Sequence, residues 1–173
     1  MNPKNLIHDS TPKLIFAHGE GSSLLIREPS DTNPYFPEAT IAKLEIDTTC
    51  LHSPIVNIIF NSIITYTSNF SGTLNRLVYP FRLTFQLSKI LNLGEKIPLK
   101  SWNYSIGNLS SATFLSNSFN LTYCDKSFDE GLCDYTVEII RVNGTLIAGN
   151  SLRIVEELNI QNSNIFATAF SKI

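Results

Sequence analysis

The sequence predicts an all-β protein, an antiparallel β-sandwich that is jelly-roll-like and has about nine or ten strands. Three observations carry this. Apolar and polar residues alternate over most segments, the period-2 pattern of a half-buried strand, and helical periodicity is almost absent. Breaks rich in Gly, Pro, Asn and Ser recur roughly every 8 to 15 residues. Between the breaks, β-branched and aromatic side chains dominate, the types that fit a pleated surface.

Residues 1–12 read as a flexible N-terminal arm, polar and flanked by prolines, and residues 13–173 as a single β-sandwich domain. The arm is either a frayed terminus or a segment that adds a strand to a neighbour's sheet edge through Leu6 and Ile7. Lys13–His18 and Ser23–Arg27 form an expected first pair, broken by glycines that supply a turn or bulge at His18-Gly-Glu-Gly-Ser22. Arg27–Glu38, with three prolines, is a loop. Ile41–Asp47 alternates, with Ala42, Leu44 and Ile46 facing in and Lys43, Glu45 and Asp47 facing out.

A long strand runs from Ile55 to Thr67. Its even positions, Val56, Ile58, Phe60, Ile64 and Tyr66, make a core face. The odd positions carry Ile55, Ile59 and Ile63 spaced by Asn57 and Asn61, so something other than water is expected to cover that face. After a loop through Ser68–Pro80, Phe81–Leu91 places Phe81, Leu83, Phe85 and Leu87 inward. Asn92-Leu-Gly-Glu-Lys96 turns the chain into Ile97–Ser105. Thr113–Cys124 puts Leu115, Phe119, Leu121 and Tyr123 on one face. Tyr135–Val142, Leu146–Ala148, Leu152–Leu158 and Ile165–Phe170 complete the strands, and Asn143-Gly144 offers the pair that type I′ hairpins prefer.

Composition narrows the function classes. A chain of 173 residues suffices for one domain with a proper core. The formal net charge is −2, and Lys and Arg are scattered singly. No basic stripe exists for nucleic acid. No run approaches the roughly 18 to 20 apolar residues of a membrane helix, so no membrane insertion is expected. The N-terminal residues lack the apolar core of a secretory signal, so the expectation is synthesis in a cytoplasm, where the protein stays or from which it reaches a surface without the general export route.

No set of catalytic residues stands out, and the expectation is a protein that is not an enzyme, with no cofactor and no metal. Cys50-Leu-His52 places two potential ligands on one side of an extended segment, yet zinc needs two more and no C-x-x-C or H-x-x-x-H is present. No serine or cysteine sits in a nucleophile elbow. His18-Gly-Glu-Gly-Ser22 lacks the lysine and the following helix of a phosphate loop. Asp125-Lys-Ser-Phe-Asp-Glu-Gly131 resembles a calcium loop, but Glu130 and Thr136 stand where glycine and glutamate belong. It reads better as a hairpin tip whose bases, Cys124 and Cys133, are candidates for a disulfide if their Cα atoms come within about 7 Å. The sequons at Asn69, Asn103, Asn108, Asn120 and Asn143 are expected to be silent.

Six segments carry a family resemblance: Lys13-Leu-Ile-Phe-Ala-His-Gly-Glu-Gly21, Asp47-Thr-Thr-Cys-Leu51, Phe60-Asn-Ser-Ile-Ile64, Leu83-Thr-Phe-Gln-Leu-Ser-Lys89, Ile97-Pro-Leu-Lys-Ser-Trp102 and Cys133-Asp-Tyr-Thr-Val-Glu138. In these segments, which keep the family's order and span most of the chain, it resembles a family of small β-rich proteins of anaerobic endospore-forming bacteria, catalogued as domain of unknown function 4489. That family implies no activity that can be carried over. It tends to have a cysteine where His18 stands and a cysteine-rich cluster where this chain has only Cys124 and Cys133, so dense disulfide cross-linking is not implied here. In architecture the chain is also similar to the jelly-roll subunits of endospore appendages, which extend N-terminal arms into neighbours.

The functional expectation is a structural, self-assembling β-sandwich subunit of an extracellular or spore-surface fibre or layer. It would form a homo-oligomer or polymer by strand addition and the N-terminal arm, with Leu6, Ile7, Ile55, Ile59 and Ile63 as assembly candidates. The resemblance implies synthesis in a mother-cell cytoplasm and delivery to the spore or cell surface. The alternative is a carbohydrate- or ligand-binding module in which Trp102, Tyr104 and Tyr35 stack on sugars, although a small-molecule ligand is the lesser expectation and Trp102 also reads as core.

Overall fold

Alternation of the kind seen in Phe81–Leu91 calls for burying one face of each strand, and this chain does so by rolling its strands into two facing sheets. The computed structural model describes residues 13–27, 38–71, 81–107, 113–144 and 153–172. Among them lie β1 (Leu14–Gly21), β2 (Leu24–Arg27), β3 (Ala39–Asp47), β4 (Pro54–Ser71), β5 (Phe81–Leu91), β6 (Lys96–Ile106), β7 (Thr113–Asp125), β8 (Leu132–Asn143) and β9 (Arg153–Ser171). All pairings between them are antiparallel.

The pairings nest. β5 and β6 form a hairpin, β4 pairs with β7 outside it, β3 with β8 outside that, and β1 and β2 both lie along β9. Further pairings of β4 with β9 and β5 with β8 stitch the roll laterally. The result is a jelly roll with sheet I in the order β7-β4-β9-β1/β2 and sheet II in the order β6-β5-β8-β3.

β1 joins the two sheets. Leu14 to Gly19 pair with β9 in sheet I, and Glu20 and Gly21 pair with β3 in sheet II. A Cβ on Gly19 would strike the Lys43 carbonyl oxygen, and one on Gly21 the Ser163 carbonyl oxygen. These glycines are needed for close approach rather than for a turn. The expected pairing of the first two segments is therefore overturned: β1 and β2 follow each other along β9.

The hairpin expected between Cys124 and Cys133 fails. β7 belongs to sheet I and β8 to sheet II, so residues 125–131 cross between sheets. β8 and β9, the next described strand, also lie in different sheets, and the segment that would complete a hairpin at Asn143-Gly144 lies outside the described residues. The β5–β6 turn is as expected, with Asn92 and Leu93 at φ 49° and 60° and the Gly94 N–H donating to the Leu91 carbonyl. The two last segments are one strand, β9, whose register against β4 shifts between Asn61 and Ile63 near Asn162 at φ 55°. Leu146–Ala148 and residues 1–12, with Leu6 and Ile7, lie outside the described residues.

The core fills the space between the sheets. Phe81, Leu83, Phe85 and Leu87 of β5 are fully buried, as are Ile58, Phe60 and Tyr66 of β4, in agreement with the alternation. Phe119 of β7 stacks on Phe85 at 4.2 Å between ring centroids and meets Phe60 and Tyr104 edge-on. Two edge strands, β6 and β7, face each other across a seam closed by side chains. Asn117 donates to the Tyr104 hydroxyl at 3.1 Å, and Trp102 meets Tyr123 edge-on.

Candidate functional site

The odd positions of β4 form part of a larger outer face on sheet I. The register aligns Leu14, Phe170 and Ile55 in one row, and His18, Phe166 and Ile59 in another. Phe16 lies between them, in the row of Thr168, Asn57 and Cys124. Leu14, Phe16, Ile59 and Phe166 are all exposed, Phe16 at 73% and Ile59 at 45%. The His18 ring lies 4.7 Å from that of Phe166. Nothing among the described residues covers this face.

Ile63 does not belong to the patch. A row of Asn164, Asn61 and Asn120 crosses the sheet between Ile59 and Ile63, and Ile63 is half-buried beside Gln161 and Ser118. The expected assembly residues thus divide: the structure brings Ile55 and Ile59 together with the aromatics of β1 and β9 and leaves Ile63 apart. The sequence signal missed was in β1, where Leu14, Phe16 and His18 occupy alternate, outward positions.

The two edge strands at the seam, β6 and β7, differ in protection. β6 carries Lys96, Pro98 and Lys100, residues that blunt an edge against pairing. β7 has no Lys, Arg or Pro over its 13 residues. Of these two it is the less guarded against strand addition.

The remaining candidates are placed as follows. Cys124 is exposed on the outside of sheet I, while Cys133 is buried in sheet II, and both are free thiols along with Cys50. The disulfide expectation fails because the two cysteines sit on strands of different sheets and point to opposite sides of one of them. Among the described residues, no group of three or more His, Cys, Asp or Glu side chains is placed to hold a metal. His52 instead lies 3.4 Å from Glu130 at the surface. No helix among the described residues is long and apolar enough to cross a membrane. Trp102 is half-buried against the core with the Lys100 ammonium 5.3 Å from its ring, and Tyr35 lies outside the described residues.

A buried ionic cluster went unnoticed in the sequence. Lys89 and Asp125 are each only 3% exposed. Lys89 continues the inward positions 81, 83, 85 and 87 of β5, and Asp125 continues the inward positions 119, 121 and 123 of β7. Extending either alternation by one step places a charge in the core, and that was the available signal. They meet from opposite sheets. The Lys89 ammonium donates to Asp125 Oδ2 at 2.9 Å, to Ser127 Oγ at 2.8 Å and to Asp129 Oδ2 at 3.0 Å. Asp125 Oδ2 also accepts from the Tyr135 hydroxyl at 2.7 Å, and Oδ1 from the Ser127 N–H at 2.9 Å.

Burial works against both charges, and the hydrogen bonds outweigh it. Asp125 is held below the usual carboxylate range despite burial, by Lys89, Tyr135 and Ser127. Lys89 is held above its usual value despite burial, by Asp125 and Asp129. Burial first, then the Asp125 contact, pushes the Tyr135 hydroxyl far above its usual range, so it stays a donor. Burial also raises the Cys133 thiol.

Comparison with curated proteins gave no match. Among solved structures, the chain is similar to the infectious bursal disease virus Gx strain structure, at 12% identity and a TM-score of 0.37, over 94% of this chain and 38% of that one. It is similar to Eiger TNF from S. frugiperda at 12% identity and a TM-score of 0.37, over 92% of both chains. A VP2 subviral particle of infectious bursal disease virus gives 10% identity and a TM-score of 0.35, over 95% of this chain and 38% of that one. The chain thus spans well under half the length of the viral chains it resembles, and the jelly-roll assignment rests on its own nested strand pairing. Residues 15–169 match the family model described as Domain of unknown function (DUF4489), and the chain belongs to that family.

Proposed function

We propose that this protein is a structural subunit that self-associates, a second copy covering the outer face of sheet I. The observation that carries it is the exposed patch of Leu14, Phe16, Ile59 and Phe166, aligned in register across β1, β4 and β9. Such contiguous apolar area on an ordered sheet marks a contact surface. A net charge of −2 offers little repulsion between copies. The unguarded edge of β7 gives a second contact, to which residues 1–12 of a neighbour would add a strand. A fibre or spore-surface layer, reached from a mother-cell cytoplasm, is the setting of this reading, and its role is structural rather than catalytic.

Sedimentation and electron microscopy of the full-length protein test it. Concentration-dependent oligomers or filaments are expected, weakened by Phe16→Ser with Phe166→Ser and shortened by deleting residues 2–12. A strictly monomeric particle at high concentration, unchanged by either alteration, would overturn the reading.

A further inference from the structure

We propose that Lys89 and Asp125 condense with each other, forming an intramolecular amide between Lys89 Nζ and Asp125 Cγ that covalently ties sheet II to sheet I. The arrangement exceeds what an ion pair requires. A buried amine is held in hydrogen-bond contact with a buried carboxyl group, and a second carboxylate, Asp129, lies 3.0 Å from the same nitrogen. Both oxygens of Asp125 are held by donors, Tyr135 on Oδ2 and the Ser127 backbone on Oδ1. These are the parts an acyl substitution needs: a nucleophile, a polarised carboxyl group and a proton carrier.

The step balances as a dehydration. Asp129 takes one proton from the Lys89 ammonium and passes it to Asp125 Oδ1. The neutral Nζ attacks Cγ, and negative charge develops on Oδ2, where the Tyr135 hydroxyl already donates. Asp129 carries the second nitrogen-bound proton to Oδ1, the Cγ–Oδ1 bond breaks, and one water leaves. Oδ2 remains as the amide oxygen and keeps its bond from Tyr135. Asp129 ends as it began.

Three physical features favour the reaction. The Asp129 side chain is 41% exposed, so protons and the released water have a way out. Condensation removes two charges from a site where the side chains of Lys89 and Asp125 are each 4% exposed, and with them a desolvation cost that only the cluster's hydrogen bonds offset. Holding the groups together supplies an effective concentration of roughly 10⁵ M or more when the reacting atoms are aligned. The bond needs to form only once per molecule, so a small population of neutral amine suffices.

Mass spectrometry of the unfolded, reduced full-length protein tests the proposal. The expected mass is one water below that of the sequence, and digestion yields a branched peptide joining the segments around Lys89 and Asp125. A full sequence mass overturns the proposal, as does a water loss that maps elsewhere. This reading needs no variant to fold, and it is independent of whether copies associate. In Asp129→Asn, which keeps Lys89, Asp125 and Tyr135, the full mass is expected with a β-sheet circular dichroism spectrum retained. A water loss in that variant would overturn the role of Asp129 as proton carrier.

Discussion

Tyr135, on β8 of sheet II, donates its hydroxyl to the Oδ2 atom of Asp125, at the end of β7 in sheet I, across 2.7 Å. Both side chains are buried, and the bond spans the gap between the sheets beside the Lys89 ammonium, which donates to the same oxygen. Tyr135→Phe removes the donor and leaves the oxygen with one partner fewer, at a cost of about 1–3 kcal/mol. Urea unfolding reads the loss. The same contact predicts that Tyr135 shows no tyrosinate absorbance at alkaline pH until the protein unfolds, because burial and the hydrogen bond to Asp125 both hold its proton.

The row of Asn164, Asn61 and Asn120 separates two isoleucines that the sequence treats alike. Ile59→Ser is expected to weaken self-association several-fold, because it lies in the patch with Phe166 and His18. Ile63→Ser, beyond the asparagines, is expected to leave association unchanged. Sedimentation equilibrium of the two variants distinguishes them, and equal effects would count against the patch as drawn.

Gly19→Ala is expected to destabilise the fold by about 1–3 kcal/mol, as overpacking does, because its Cβ meets the Lys43 backbone oxygen and cannot move aside cheaply. Denaturant titration checks it. A neutral substitution would mean that β1 and β3 are not in such close contact.

Thiol chemistry separates the three cysteines. Cys50 and Cys124 are exposed, and Cys133 is buried with its thiol pushed up, so less thiolate is present at any given pH. Native alkylation at neutral pH is expected to modify Cys50 and Cys124 promptly and Cys133 only after unfolding. Peptide mapping reports which has reacted.

What was legible in the sequence was local. Phe81 to Leu87 and Ala42 to Ile46 announce their buried faces by alternation alone, because side-chain direction follows from strand geometry. What was not legible depends on partners far along the chain. Leu14 pairs with Phe170, and no local pattern at either residue encodes the other. Cys124 and Cys133 look like the two sides of one hairpin, but their strands belong to opposite sheets. The charge cluster was hidden for a related reason: Lys89 and Asp125 each look like the polar end of a strand until the two ends are brought face to face.

The pairing of Leu14 with Phe170 also sets how the molecule would respond to tension. The beginning of β1 and the end of β9 lie side by side at one corner of sheet I, so a pull through both would peel the pair open one rung at a time instead of shearing all rungs together. Nesting then fixes the sequence of failure: the ribbon unrolls from β1 and β9 towards the β5–β6 hairpin at its centre. A subunit strung by its two ends would be soft, whereas one held by its broad face and by its free edge would carry the strain across strands that remain rolled.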